Sequence, residues 1–210
     1  MERTKRPGLR KLIAMCPHMR RVHALAGSPP PRGLEPGFAT ILRIIVDQQV
    51  STQSGAAIWR KLEETLGPIS PPVILRADEE GLRGCGFSGP KARYGMALAT
   101  AVTDGTLDLG KLPRMSNARV EETLIQIKGI GRWTAEIYLM FALGRTDIWP
   151  AGDLAVAEAA GQLLDLPTRP TIPEMDEIGE QWRPWRSTAA VMLWHYCHHI
   201  RSRPGGRPGG

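Results

Sequence analysis

Apolar residues recur at helical spacing along most of the chain, and they nowhere alternate over a run long enough for a sheet. Leu12, Ile13, Met15, Met19, Val22 and Leu25 mark a helical stretch over residues 9–26, which Pro17 is expected to break in two. Residues 38–50 are apolar nearly all round, the pattern of a helix buried in the centre of a lobe. Residues 51–66 follow as an amphipathic helix ending near Gly67-Pro68. A short helix is expected over 78–85 and a longer one over 90–103, with Lys91 and Arg93 near its start. The pattern then predicts helices over 117–127 and 132–143, the second closed by Gly144 as its C-cap. Three more are expected: 154–164, 173–182, and 185–199 with Pro184 at its first position. Residues 28–37 form a stiff linker rich in Pro and Gly, and 167–173 a turn. The fold class is all-α.

Composition narrows the function. The chain has 210 residues, enough for one large domain or two small lobes, and a formal net charge of +6. Its basic residues are mostly arginine, which favours phosphate-binding surfaces, although a solvated basic face would have the same composition. Three scattered cysteines, Cys16, Cys85 and Cys197, suit neither a metal knuckle nor a disulfide framework. His195 and His199 share a helix face, but no third ligand at suitable spacing accompanies them. No apolar run reaches membrane-spanning length and the first residues lack a signal-peptide core, so a cytoplasmic protein is expected. The tail over 204–210 cannot bury anything and is expected to be disordered.

The chemistry concentrates between Leu124 and Val156. Gly129-Ile130-Gly131 separates two predicted helices, and glycines there permit a tight reversal of the backbone. The amides of Gly129, Gly131 and Arg132 would then face outward at a helix start, as an anion site suited to phosphate. About twenty residues on, Asp153 lies in the PAGDL segment, at the expected N-cap of the helix over 154–164.

This stretch resembles the signature of the helix-hairpin-helix DNA glycosylase superfamily, most closely its 3-methyladenine DNA glycosylase II branch. The DQQVS segment at 47–51, GFSGPKARY at 86–94 and WRPWRSTAAVMLW at 182–194 match in the same order. The resemblance spans roughly residues 37–196. It implies two helical lobes, 37–145 and 10–36 plus 146–203, with the active site in the cleft between them. Neither the β-rich N-terminal domain of some members nor, with three cysteines, their four-cysteine iron–sulfur cluster is expected here.

By the same resemblance, Asp153 is the catalytic carboxylate. Trp133, Trp194 and Ile137 line the base pocket, although Ile137 replaces a tyrosine found in some relatives. Gln49, with Gln48 beside it, is the wedge that fills the gap left by an everted nucleotide. Lys128, Gly129, Gly131, Arg132 and Thr134 hold a DNA phosphate. The backbone carbonyls of Ile125, Ile127 and Ile130 would hold a structural Na+ or K+; no other cofactor is required. Members that also cut the backbone carry a lysine where this chain has Trp133, so a monofunctional glycosylase without AP lyase activity is expected. Asp47 stands where glycine is common, and nothing in the sequence accounts for it.

The expected activity is hydrolysis of the N-glycosidic bond of alkylated purines, 3-methyladenine and also 7-methylguanine, flipped out of duplex DNA during base excision repair. The expected partner is damaged double-stranded DNA, bound by a monomer associated with the bacterial nucleoid. Two alternatives remain open from sequence: a glycosylase for hypoxanthine or uracil, and a non-catalytic binder of distorted DNA.

Overall fold

A computed structural model describes residues 8–202. The basic first seven residues and the tail expected to be disordered lie outside the described residues. Among the described residues there are eleven α-helices, one short 3-10 turn and no strand, so the all-α class holds. The chain divides into two units: Leu34–Leu143, and Met1–Gly33 with Gly144–Gly210, the latter described over 8–33 and 144–202.

In the discontinuous unit, α1 (Leu9–Met15) and α2 (Pro17–Ala26) are separated at Cys16, where the chain turns extended before Pro17 starts the second helix. The continuous unit holds α3 (Phe38–Asp47), α4 (Thr52–Leu66), α5 (Pro71–Gly84), α6 (Gly89–Thr103), α7 (Asn117–Ile125) and α8 (Arg132–Phe141). Its centre is α3, whose Ile41, Leu42, Ile44, Ile45 and Val46 are buried against α4, α6 and α8. Burial of each such side chain contributes about 1.5–3 kcal/mol, which is why an all-apolar helix sits in the middle. Ser51, Ser88 and Ser116 each accept a backbone N–H three residues on, and so fix where α4, α6 and α7 begin.

The discontinuous unit closes with α9 (Leu154–Leu163), α10 (Ile172–Glu180) and α11 (Arg186–Arg201). Ala189 and Ala190 of α11 and Ala159 and Ala160 of α9 are buried, and these small side chains let helix backbones approach closely. His195 spends its Nε2 on the Ala26 carbonyl, 2.7 Å away, and so ties α11 to the end of α2.

Several boundaries differ from the sequence expectation. The helix expected over 78–85 begins at Pro71, because the first helical positions need no N–H and tolerate proline. It is interrupted at Asp78 (φ 55°), whose carboxylate accepts from the amides of Glu80 (2.8 Å) and Gly81 (3.0 Å) and restarts it. The C-cap of α8 is Ala142 and not Gly144; the glycine adopts a left-handed conformation two residues later. Pro184 is not the first residue of α11, since Trp185 is its N-cap and the helix starts at Arg186. The helix expected over 38–50 ends at Asp47, because Gln48 turns extended (ψ 129°) and Gln49 then turns left-handed (φ 52°).

Candidate functional site

Two local structures hold the residues singled out by sequence, one in each unit. The first is the reversal between α7 and α8. Gly129 has φ +90°, a conformation side-chain-bearing residues rarely adopt, and a Cβ there would overlap the Tyr94 ring. Gly131 is different: its φ of −97° is ordinary, and a Cβ would meet nothing within 4 Å. Only one glycine is needed for the fold, therefore, and the other faces open space.

Ile130 donates its amide to the Ile127 carbonyl at 3.0 Å, closing the turn with both side chains buried. The amides of Gly129 and Gly131 have no hydrogen-bond partner among the described residues. They stand just before the N-terminus of α8, where the helix dipole favours an anion. Lys128 is exposed beside them. The Arg132 guanidinium is paired at 2.8 Å with Glu136, a carboxylate only 5% exposed. Thr134, expected at the phosphate, has its side chain turned elsewhere: it is 2% exposed and its hydroxyl accepts from the Gln48 side-chain amide at 2.9 Å. Trp133 is half-buried and Ile137 buried. Ile125 is exposed; of the three carbonyls considered for a cation, that of Ile127 already carries the Ile130 hydrogen bond.

Gln48 and Gln49 part company in the turn between α3 and α4. Gln48 donates to the Gly129 carbonyl at 3.0 Å as well as to Thr134, whereas Gln49 is exposed. Lys91 neither meets solvent freely nor stands clear of the fold. Its ammonium donates to the carbonyls of Val46 (2.8 Å) and Gln48 (2.6 Å). Burial lowers its pKa, and the nearby Asp47 charge partly counters that. Arg93 pairs loosely with Glu79. Asp47 itself accepts from Arg43 at 3.1 Å, and its other oxygen is buried against Gly55, where a Cβ would overlap it.

The second local structure is the segment leading to α9. Asp153 is the N-cap, 9% exposed, and three donors converge on its Oδ1: the amides of Ala155 (3.0 Å) and Val156 (2.9 Å) and the Trp194 indole N–H (2.9 Å). Trp194 is half-buried on α11 and orients the carboxylate, a role that residue type alone does not reveal.

The segment before Asp153 is pinned in turn. Trp149 donates its indole N–H to the Met175 carbonyl at 2.7 Å, and its ring meets Trp182 edge-on at 5.1 Å. The Ser187 hydroxyl accepts from the Ile148 amide (2.9 Å) and donates to the Arg145 carbonyl (2.7 Å). Asp147 takes Arg183 and Arg186, each at 2.7 Å. Burial pushes its carboxyl pKa up, but the two guanidiniums outweigh that and hold it below the usual carboxylate range. Asp147 and Ser187 were not legible as site residues; the only signal was the arginine-rich start of the last helix.

Two helices joined through a left-handed glycine, with bare amides ahead of the second, define a helix-hairpin-helix domain. The chain belongs to the HhH-GPD superfamily of base excision DNA repair proteins, whose family model matches residues 42–184. It is 34% identical over 161 residues to DNA-3-methyladenine glycosylase 1 of Schizosaccharomyces pombe, covering 75% of this chain and 71% of that protein. The structure of the S. pombe 3-methyladenine DNA glycosylase in complex with abasic DNA superposes with a TM-score of 0.82 at 32% identity, covering 89% of this chain and 94% of that one. The Bacillus halodurans DNA-3-methyladenine glycosidase gives a TM-score of 0.74 at 29% identity over 91% and 89% of the two chains. Among the described residues no group of acidic, histidine or cysteine side chains could hold a metal, and no helix is long and apolar enough to cross a membrane.

Proposed function

We propose that this protein is a DNA glycosylase of base excision repair that hydrolyses the N-glycosidic bond of alkylated purines, chiefly 3-methyladenine, in duplex DNA. The observation that carries this reading is the Asp153 carboxylate, held by two helix-start amides and the Trp194 indole. The names of the S. pombe and B. halodurans relatives support the substrate class.

The chemistry follows from charge. An N3-methylated adenine is already cationic, so when the C1′–N9 bond breaks its electron pair goes to the base, which departs neutral without a general acid. Positive charge develops on the deoxyribose. A fixed carboxylate about 4 Å away lowers that state by about 4 kcal/mol at an effective dielectric of about 20. This corresponds to a rate gain of roughly a thousandfold. Water then adds at C1′ and loses a proton, leaving an intact abasic site. With Trp133 in the position where backbone-cutting members carry lysine, the chain has no amine there to form a Schiff base.

Trp133, Ile137 and Trp194 are the base-contacting residues in this reading, the electron-rich indole faces favouring a cationic purine. Lys128 and the amides of Gly129, Gly131 and Arg132 take one phosphate, a contact that positions without reading sequence. The carbonyls of Ile125, Ile127 and Ile130 are neutral oxygen donors of the kind a monovalent cation accepts. The protein acts on double-stranded DNA as a monomer in the cytoplasm.

The test is chromatography of bases released from methylated duplex DNA. Free 3-methyladenine is expected, with strands that break only after alkali. No release, release confined to hypoxanthine or uracil from deaminated DNA, or strand scission with a borohydride-trapped adduct would contradict the proposal.

A further inference from the structure

We propose that Gln48 is a positioning residue that fixes the exposed Gln49 turn to the phosphate-binding hairpin, so that wedge and anchor meet DNA as one body. This rests on the reading of the protein as a base-flipping glycosylase given above.

Gln49 is exposed and held at φ 52°, a left-handed conformation that a residue other than glycine rarely adopts. Such a conformation persists only where its surroundings enforce it. Two sets of bonds do so from opposite sides. The Lys91 ammonium holds the carbonyls before and within the turn, those of Val46 and Gln48. The Gln48 amide reaches the other way, to the Gly129 carbonyl and the Thr134 hydroxyl. These two residues flank the bare amide of Gly131, the part of the hairpin open to an anion.

Helix α6 supports both ends of this arrangement. Lys91 grips the turn, and Tyr94, one helical turn later, packs under Gly129. The turn and the hairpin are thus each joined to α6, and the Gln48 amide closes the third side.

The closure has a mechanical purpose. Everting a nucleotide costs unstacking and unpairing, drawn from contacts made elsewhere on the duplex. Energy from a phosphate gripped at the hairpin can be spent on unstacking only if the wedge cannot retreat when pushed against the stack. Lys91 alone leaves the turn tied to one helix; Gln48 ties it to the gripping element itself. Gln48, expected beside Gln49 at the wedge, instead commits its amide to the hairpin.

The test is a double-mutant cycle with Gln48→Ala, Gln49→Ala and both, measuring affinity for abasic-site duplex and for undamaged duplex, with thermal melting alongside. Gln48→Met is a second variant that keeps the length and packing but removes the amide. Loss of either Gln48 variant's amide should cut the preference for the abasic duplex about tenfold, the equivalent of one or two hydrogen bonds. Affinity for undamaged duplex should stay within about twofold, and melting should change little. In the Gln49→Ala background the same change should add less than about twofold, since Gln48 acts through Gln49. Additive losses, equal losses on both duplexes, no loss, no abasic preference in the wild type, or a large drop in melting of Gln48→Met would each overturn the assignment. Because the readout is binding, a wild type that prefers abasic duplex but releases no base would defeat the proposed activity and leave this cycle intact.

Discussion

The hairpin and the Asp153 segment solve opposite problems. In the proposed function the hairpin works through backbone amides and the exposed Lys128, while the other side chains around them are engaged elsewhere: Arg132 with Glu136, Thr134 with Gln48, Ile127 and Ile130 in the core. At Asp153 the proposed working group is one side chain, and backbone and indole donors hold it in place. A backbone grip suits a ligand present in every nucleotide, whereas a fixed charge suits a single event at one sugar. The comparison predicts that substitutions at the hairpin alter binding and folding, and that those around Asp153 alter rate.

The sharpest break in that symmetry is Asp153→Asn. The amide keeps the oxygen that accepts the cap bonds but removes the charge, so single-turnover base release should fall about a thousandfold. Binding to undamaged duplex should barely change. Within the hairpin the two glycines should separate. Gly129→Ala meets both a forbidden φ and the Tyr94 ring and should lower stability by about 3 kcal/mol in chemical denaturation.

Asp147 tests whether the support beneath Asp153 is structural. Its folded pKa is depressed, so its stabilising contribution is complete above the unfolded value near 3.8 and is lost as pH falls through the lower folded value. Asp147→Asn should cost about 2 kcal/mol at neutral pH, below the range for a fully buried pair because Asp147 keeps 24% exposure. The difference from wild type should shrink in melts taken at increasingly acidic pH. A smaller effect is expected for Trp194→Phe, which keeps the ring but not the N–H to Oδ1; base release should slow about tenfold with melting nearly unchanged. Smallest of all, Gly131→Ala should leave stability within about 0.5 kcal/mol while weakening DNA binding several-fold, because its Cβ has room in the protein but not beside a phosphate.

Much of this was legible in the chain. Helical periodicity, the Asp153 cap and the proline after Cys16 are local signals, and local signals set most of the helices. What was not legible depends on partners distant in sequence. Gly129 and Gly131 look alike in the sequence, yet in the fold one takes a positive φ with the Tyr94 ring beneath it and the other an ordinary φ beside open space. Lys91 reads as a surface cation until the carbonyls of Val46 and Gln48 meet it. Trp194 reads as a pocket aromatic, yet its indole N–H is given to Asp153 from 41 positions away. The start of α5 was missed for a different reason: Pro71-Pro72 reads as a breaker unless it falls at the helix start, where it is well suited.

The central claim is that Asp153 acts as a fixed negative charge toward a cationic sugar. It is tested most directly by comparing affinities for two duplexes that differ only at one position, one with a neutral abasic analogue and the other with an analogue carrying a protonated ring nitrogen. The wild type should prefer the cationic analogue by about a hundredfold or more, and Asp153→Asn should lose most of that preference. Equal affinity of the wild type for both, or an undiminished preference in the asparagine variant, would contradict the account.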